Sequence, residues 1–278
     1  MTTGAVIFAQ NNDTVDYVKL AIFSASRIKK FLKIPVSIIT DSRGWLETTY
    51  PDHGFDQIID AEQSSSYYRK RFYDGSMAFK NTEWKNLSRT TVYNLTPYDT
   101  TLVIDSDYII NSDILKPALE KDEDFQIYQH SLDLANWRPT AEFTRINEFS
   151  IPFYWATVFI FKKNNVTESF FLLIKHIKEN WDFYKTLYSI GSILYRNDYA
   201  FSIAIHIMNG SRDGYFSQVL PGKMIYSTDK DLLIKMTDVK LQFLIEKKDH
   251  LGEYIAATTN GVDVHVMNKI SLSRCLDE

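Results

Sequence analysis

Asp105-Ser106-Asp107 sets two carboxylates on either side of one residue, at the end of the apolar run Thr101-Leu102-Val103-Ile104. Carboxylates so spaced can share a divalent ion. A bound cation could in turn hold the phosphates of a nucleotide-linked substrate. The run before them predicts a buried strand, and Tyr108-Ile109-Ile110 continues in apolar character. An isolated Asp-x-Asp is also what a strand end and a solvated turn look like. Here, however, two charges interrupt a segment suited to the interior, where unpaired carboxylates are costly. A cation supplies the missing positive charge. His265, on a distant segment, offers a nitrogen to join the two acids. The mixed set suits Mn²⁺, and Mg²⁺ where a diphosphate supplies the remaining oxygens. Lys269, four residues on, could neutralise a departing phosphate as a rotatable point charge.

The elements that must carry these groups read as an α/β chain. Gly4 to Ala9 predicts a first buried strand, with Gln10-Asn11-Asn12-Asp13 as turn and capping groups. Val18, Ala21, Ile22, Ala25, Ile28, Phe31 and Leu32 recur at helical spacing, and Val36 to Thr40 predicts a second strand closed by Asp41. Strand, helix, strand is the opening of a parallel sheet, whose ligands sit beyond the carboxyl ends of the strands. Ile58-Ile59 predicts a short strand, and Ser76 to Tyr93 a helix with a polar side toward a cleft. Phe125 to Tyr128 and Trp155 to Phe161 predict later strands, with a flexible segment over Asp133 to Phe149 between them. Val166 to Trp181 and Asn197 to Met208 predict helices, and Val219 to Ile225 and Leu241 to Ile245 weaker strands.

Composition bounds the alternatives. With 278 residues, 45% of them hydrophobic, the chain can bury one large core, and no linker divides it into equal domains. A net charge of -4 argues against a wholly basic nucleic-acid binder while leaving room for a local patch such as Arg69-Lys70-Arg71. A single cysteine, Cys275, excludes an intrachain disulfide framework and a cysteine zinc site. The absence of a basic leader and of an apolar twenty-mer leads us to expect a cytoplasmic protein without a membrane span. Oligomeric state is left open.

The chain resembles the GT-A glycosyltransferases, especially the glycogenin and lipopolysaccharide galactosyltransferase relatives of glycosyltransferase family 8. The landmarks are the opening AVIFAQNND with VSIITD, the central TLVIDSDYII and the late VHVMNK. The resemblance implies one catalytic domain over 1–278, with a mainly parallel sheet flanked by helices. Residues 1–113 would form the nucleotide-sugar half, and 114–278 the acceptor half and metal segment. It implies a nucleoside-diphosphate sugar donor, UDP-linked, and Mn²⁺ or Mg²⁺ held by Asp105, Asp107 and His265. Ala9, Gln10, Asn11 and Asp41 would meet base and ribose, with Ser106 between the metal acids. The family's HxxGxxK becomes His265-Val266-Met267-Asn268-Lys269, two residues shorter and without the glycine, so the closing loop differs. Lys80, Lys85 and Arg89 are candidates to reach sugar and nucleotide, Arg89 foremost, against the plain reading of a solvated helix face. Asp198 would orient sugar hydroxyls or stabilise charge at the anomeric centre, unless it only caps a helix. Trp155, Ala156 and Thr157 sit where acceptor-side residues occur.

The implied reaction is transfer to a hydroxyl with retention, by front-face attack assisted by the departing phosphate. An inverting course would need a base, for which Asp198 is the first suspect. The acceptor reading stays open between a glycan or protein hydroxyl and, by likeness to bacteriophage enzymes, hydroxymethylated cytosine in DNA. A metal-dependent nucleotidyltransferase and a non-catalytic nucleotide-sugar-binding module are the other classes.

Overall fold

The structure is a computed structural model that describes residues 1–61, 68–84, 89–135, 144–147, 150–191, 194–247 and 250–277. The chain opens with β1 (Thr3–Phe8), α1 (Tyr17–Phe31), β2 (Val36–Thr40), α2 (Arg43–Thr49) and β3 (Gln57–Asp60). Asp16 starts α1 by accepting a hydrogen bond from Lys19 N at 3.0 Å, and Val18, Ala21, Ala25 and Ile28 make its buried stripe. β1, β2 and β3 pair in parallel, Ala5 opposite Val36 and Ser37 opposite Gln57. All five residues of β2 are buried, as in a strand covered on both faces.

β4 (Tyr68–Tyr73) and β5 (Phe79–Trp84) then form an antiparallel hairpin. This corrects the helix expected over Ser76–Tyr93. Asp74-Gly75 opens a tight reversal with Gly75 at φ +85°, and Thr82 is buried between an exposed Asn81 and a half-buried Glu83, the period of a strand. Lys85 lies outside the described residues. Arg89–Thr91 is a 3₁₀ turn, running into α3 (Val92–Leu95).

β6 (Thr100–Asp105) lies parallel to β1 with Asp105 opposite Phe8, and β7 (Tyr108–Ile109) follows at once. Next come α4 (Lys116–Glu120), β8 (Phe125–Tyr128), β9 (Ser131–Asp133) and β10 (Trp155–Lys162), the last antiparallel to both β6 and β8. The segment expected to be flexible is interrupted by residues 136–143 and 148–149, which lie outside the described residues. α5 (Asn165–Glu179) begins with a capping box between Asn164 and Thr167 and matches the helix expected over Val166 to Trp181, and a further short helix, α6 (Trp181–Leu187), follows after Asn180. α7 (Asn197–Met208) has its expected bounds.

Pro221-Gly222, with Gly222 at φ +77°, splits the strand expected over Val219–Ile225 into β11 (Gln218–Val219) and β12 (Met224–Ser227). β13 (Leu232–Met236), β14 (Lys240–Glu246), β15 (Tyr254–Asn260), β16 (Val264–Val266) and α8 (Lys269–Cys275) complete the chain, and of these β13, β15 and α8 were not anticipated.

Among the described residues the main sheet has seven strands in the order β11-β8-β10-β6-β1-β2-β3. This mixed, largely parallel sheet with flanking helices is the expected fold class. A second sheet runs β7-β16-β12-β9 and a third β13-β14-β15. Two apolar clusters hold these layers. In the larger, Phe125, Phe159, Phe170 and Phe201 pack ring against ring between β8, β10, α5 and α7. In the smaller, Phe72 of the hairpin joins Leu20, Phe243, Val264 and Leu272, tying α1, the third sheet, β16 and α8 together. Each fully buried aromatic contributes about 1.5–3 kcal/mol of transfer free energy. No helix among the described residues is long and apolar enough to cross a membrane.

Candidate active site

Asp105 ends β6, and Asp107 follows two positions later, in the turn Ser106-Asp107 that leads into β7. β16 then lays His265 beside them: Tyr108 pairs with His265 across the antiparallel ladder, and Val266 N donates to Asp107 O at 2.9 Å. The His265 Nε2 atom comes to 3.3 Å from Asp107 Oδ2. Asn268 caps α8, accepting from Ser271 N at 2.9 Å, and this directs Lys269 back so that its Nζ lies 2.7 Å from the same oxygen. Arg89, on the 3₁₀ turn, forms an ion pair with Asp105.

Ligand atoms of Asp105, Asp107 and His265 all lie within 4.8 Å of one another. Two carboxylate oxygens and one imidazole nitrogen at this separation fit a borderline-hard divalent ion. Buried His265 Nδ1 has no hydrogen-bond partner, and Asp107, only 3% exposed, is an interior carboxylate that requires positive charge beside it. Burial works against its ionisation, yet Lys269 and then His265 outweigh it and hold the carboxyl far below the usual range. Conversely, burial would lower Lys269, but Asp107 keeps its ammonium above the ordinary value. Burial also pulls Arg89 down, against the fields of Asp198 and Asp107.

These groups open into a cleft of about 510 Å³ at the carboxyl ends of β1 and β6. Gln10 lines it, 5% exposed, with both amide atoms buried and without a hydrogen-bond partner, an unsatisfied donor and acceptor at the edge of the cleft. On the opposite side Asp198, in the first turn of α7, accepts from Ala156 N at 3.0 Å and from Arg196 at 2.8 Å. Both oxygens are engaged, so the carboxylate is fixed in place between β10 and α7. Trp155 and Thr157 line the cleft beside it, while Ala156, fully buried, contributes its backbone N–H to Asp198.

Of the residues singled out in the sequence, the fold brings Gln10, Arg89, Asp105, Ser106, Asp107, Trp155, Thr157, Asp198, His265 and Lys269 to one cleft. It does not bring Ala9, Asn11, Asp41 or Lys80 into the lining. Ala9 is spent on the sheet, donating to Ile39 O at 3.0 Å, and Asn11 on the start of α1, accepting from Val18 N at 3.0 Å. Asp41 is exposed and accepts from Ser42 Oγ at 2.8 Å; Lys80 is exposed on the hairpin.

Lining residues that sequence reasoning missed include Tyr17, Phe72, Tyr73, Arg196 and Asp229, and Lys70 and Arg71 had been read only as part of a basic patch. The overlooked signal was Asp74-Gly75 between aromatic-rich runs, a hairpin pattern. All three residues of the basic triplet are exposed; Lys70 and Arg71 also line the cleft, and Arg69 donates to Asn81 O at 2.9 Å. Partial desolvation in the cleft, with the charges of Lys269 and Arg196, lowers the Lys70 ammonium to about 8. Burial raises Asp229 and pushes the Tyr17 phenol to about 12.

The fold and cleft thus define an α/β protein with a candidate divalent-cation centre at a strand-end crevice. No protein-family model matches the chain, and no curated protein matches it. Among solved structures the chain is similar to the glycosyltransferase GlyE of Streptococcus pneumoniae TIGR4, with 12% identity and a TM-score of 0.43 over 80% of this chain and 46% of GlyE. It is also similar to the galactosyltransferase LgtC in complex with donor and acceptor sugar analogs, with 12% identity and a TM-score of 0.48 over 78% of this chain and 72% of LgtC. A third is a putative glucose-1-phosphate thymidylyltransferase from Bacillus anthracis, with 10% identity and a TM-score of 0.46 over 99% and 94%. The chain spans under half the length of GlyE.

Proposed function

We propose that this chain is a metal-dependent glycosyltransferase that moves a sugar from a nucleoside diphosphate, UDP in the first instance, to an acceptor hydroxyl with retention of configuration. The observation that carries the reading is the meeting of Asp105, Asp107 and His265 with Lys269 in one cleft. A divalent ion, Mn²⁺ or Mg²⁺, held by Asp105, Asp107 and His265 supplies positive charge to the donor's phosphates. Arg89 and Lys269, which now neutralise the two aspartates, are within the same charge cluster and add to the stabilisation of the leaving diphosphate. Gln10 offers its amide to the nucleoside.

In the transfer the bond from the anomeric carbon to the phosphate oxygen breaks as the bond to the acceptor oxygen forms. The acceptor's proton passes to the departing phosphate oxygen. Asp198, with both oxygens already accepting, suits a role in orienting sugar hydroxyls and opposing positive charge on the ring more than one in removing a proton. Trp155 and Thr157 would face the acceptor. A glycan hydroxyl fits a cleft of about 510 Å³, and a hydroxymethylated cytosine is the alternative acceptor that the experiment below decides.

A panel of nucleotide sugars with Mn²⁺ tests the reading. Expected is release of the whole nucleoside diphosphate, with Asp105→Ala lowering metal-dependent donor affinity by about 100-fold while the circular-dichroism spectrum stays unchanged. Release of pyrophosphate with the nucleoside monophosphate joined to product would instead establish a nucleotidyltransferase. Donor binding without turnover over any acceptor would leave a binding module. Hydroxymethylated duplex DNA, offered beside unmodified duplex, decides the DNA acceptor.

A further inference from the structure

The third sheet has two edges, and the chain treats them differently. β13 forms one, and it is closed. Its register slips between Leu233 and Lys235, Leu233 N donates to Ser271 Oγ of α8 at 3.1 Å, and Cys275 Sγ donates to Leu233 O at 3.3 Å. β15 forms the other. It pairs with β14 from Tyr254 to Asn260 without a register shift, and no strand among the described residues pairs with its far side.

The ladder fixes which backbone groups face outward. Lys247 N donates to Glu253 O at 2.8 Å at one end, and Gly261 N to Val239 O at 2.9 Å at the other. Bonded and non-bonded pairs alternate in an antiparallel ladder, so Ile255, Ala257 and Thr259 turn their backbone groups toward β14. Tyr254, Ala256, Thr258 and Asn260 therefore present N–H and C=O on the free side. Of these, Ala256, Thr258 and Asn260 are exposed.

Long, uncharged edge strands invite pairing, and elsewhere the chain blunts its edges. β7 and β11 are two residues each, while β3 ends in Asp60 and has Arg43 donating to Ile58 O at 2.6 Å. β15, by contrast, is seven residues, Tyr-Ile-Ala-Ala-Thr-Thr-Asn, with no charge and no proline. It is also complementary to itself. Turned about a two-fold axis at Ala257, it meets its own copy with Tyr254 opposite Asn260 and Ala256 opposite Thr258, so outward groups face outward groups. A slip of one residue would set outward groups against inward ones. We propose that β15 is a self-association edge, pairing antiparallel with β15 of a second copy of this chain and continuing the third sheet across a dimer. The proposal does not depend on the reaction in the cleft.

An edge contact of this length buries less than a standard interface, so a reversible dimer dissociating in the micromolar range is expected. Sedimentation velocity of the full chain from about 1 to 500 µM reads it directly. Ala256→Lys with Thr258→Lys sets like charges directly opposite across the axis, as does Ala256→Glu with Thr258→Glu. Each double variant should stay monomeric with a wild-type circular-dichroism spectrum, and an equimolar mixture of the two should dimerise again. Thr258→Pro removes only an outward N–H, so it should give a folded monomer even where the charged variants lose their fold. A wild type that is monomeric throughout overturns the proposal and leaves the edge to a strand of another protein. A Thr258→Pro or double-lysine variant that dimerises like wild type places the contact elsewhere and overturns it. So does a mixture of the two folded charged variants that remains monomeric.

Discussion

The floor of the cleft and the strap that crosses it are built by different physics. The floor is β1, β6 and β10, whose residues are almost all buried and whose side chains meet the aromatic cluster of α5 and α7. The strap is the hairpin together with β16 and α8. Its hairpin rests on Phe72 and is fastened by directional contacts, Arg274 to Asp74, Tyr254 to Ser76 and Asn12 to Glu83, while β16 and α8 bury Val264, Val266 and Leu272 in the smaller cluster. Apolar burial is non-directional and large; exposed ion pairs are weak but aim particular groups. The floor therefore supplies the larger apolar cluster and one carboxylate end, while the strap supplies His265 and Lys269 and uses directional bonds to fasten its hairpin.

If that division holds, a floor mutation should cost stability and spare affinity. Phe159→Ala removes a fully buried ring lying 5.0 Å from Phe201 and 5.7 Å from Phe125. It should lower the unfolding free energy by about 3–5 kcal/mol in denaturant titration. Donor affinity of the remaining folded protein should stay within about twofold. A loss of affinity larger than that, at full folding, would show that floor and strap are not separable.

The join between the two regions should be pH-sensitive. Asp263, just before β16, accepts from Asn111 N at 2.7 Å and from Ser112 N at 2.8 Å, while its other oxygen is buried without a partner. Burial dominates over these bonds and raises its carboxyl to about 6. With the folded value above the unfolded one, its contribution to stability is complete below about pH 4 and lost as pH rises through 6. Between pH 4.5 and 7 this amounts to about 2 kcal/mol. Asp263→Asn should flatten the pH dependence of the melting temperature over that interval; an unchanged slope would reject the assignment.

The smallest effect on stability belongs to the tip of the strap. Arg274→Ala breaks an ion pair whose side chains are 53% and 25% exposed, so it should cost under about 1 kcal/mol in unfolding. Yet it loosens the hairpin whose residues line the cleft, and UDP affinity should fall by about three- to fivefold. A stability loss without an affinity loss would make the contact structural only.

The same two regions differ in how much could be read before folding was known. Buried parallel strands announce themselves as continuous apolar runs, so β1, β2 and β6 were anticipated within a residue or so, as was the amphipathic α1. Asp105 and Asp107 stood out because they interrupt such a run. The hairpin was misread because aromatic and polar residues over Ser76–Tyr93 satisfy a loose helical period, and the turn at Asp74-Gly75 was not weighed against it. Asn11, Asp41 and Lys80 were placed by motif, and the tertiary structure commits them elsewhere, to helix capping and to the surface.

Local pattern by itself determined the α/β order and the strand that delivers the acidic pair, and it offered His265 and Lys269 only as candidates to join that pair. Tertiary structure alone decided that Lys70 of β4 and Lys269 of α8, some two hundred residues apart, line one cleft. The reason is physical. A strand's apolar period is written in adjacent residues, whereas the direction of a charged side chain depends on which distant elements pack beneath its strand.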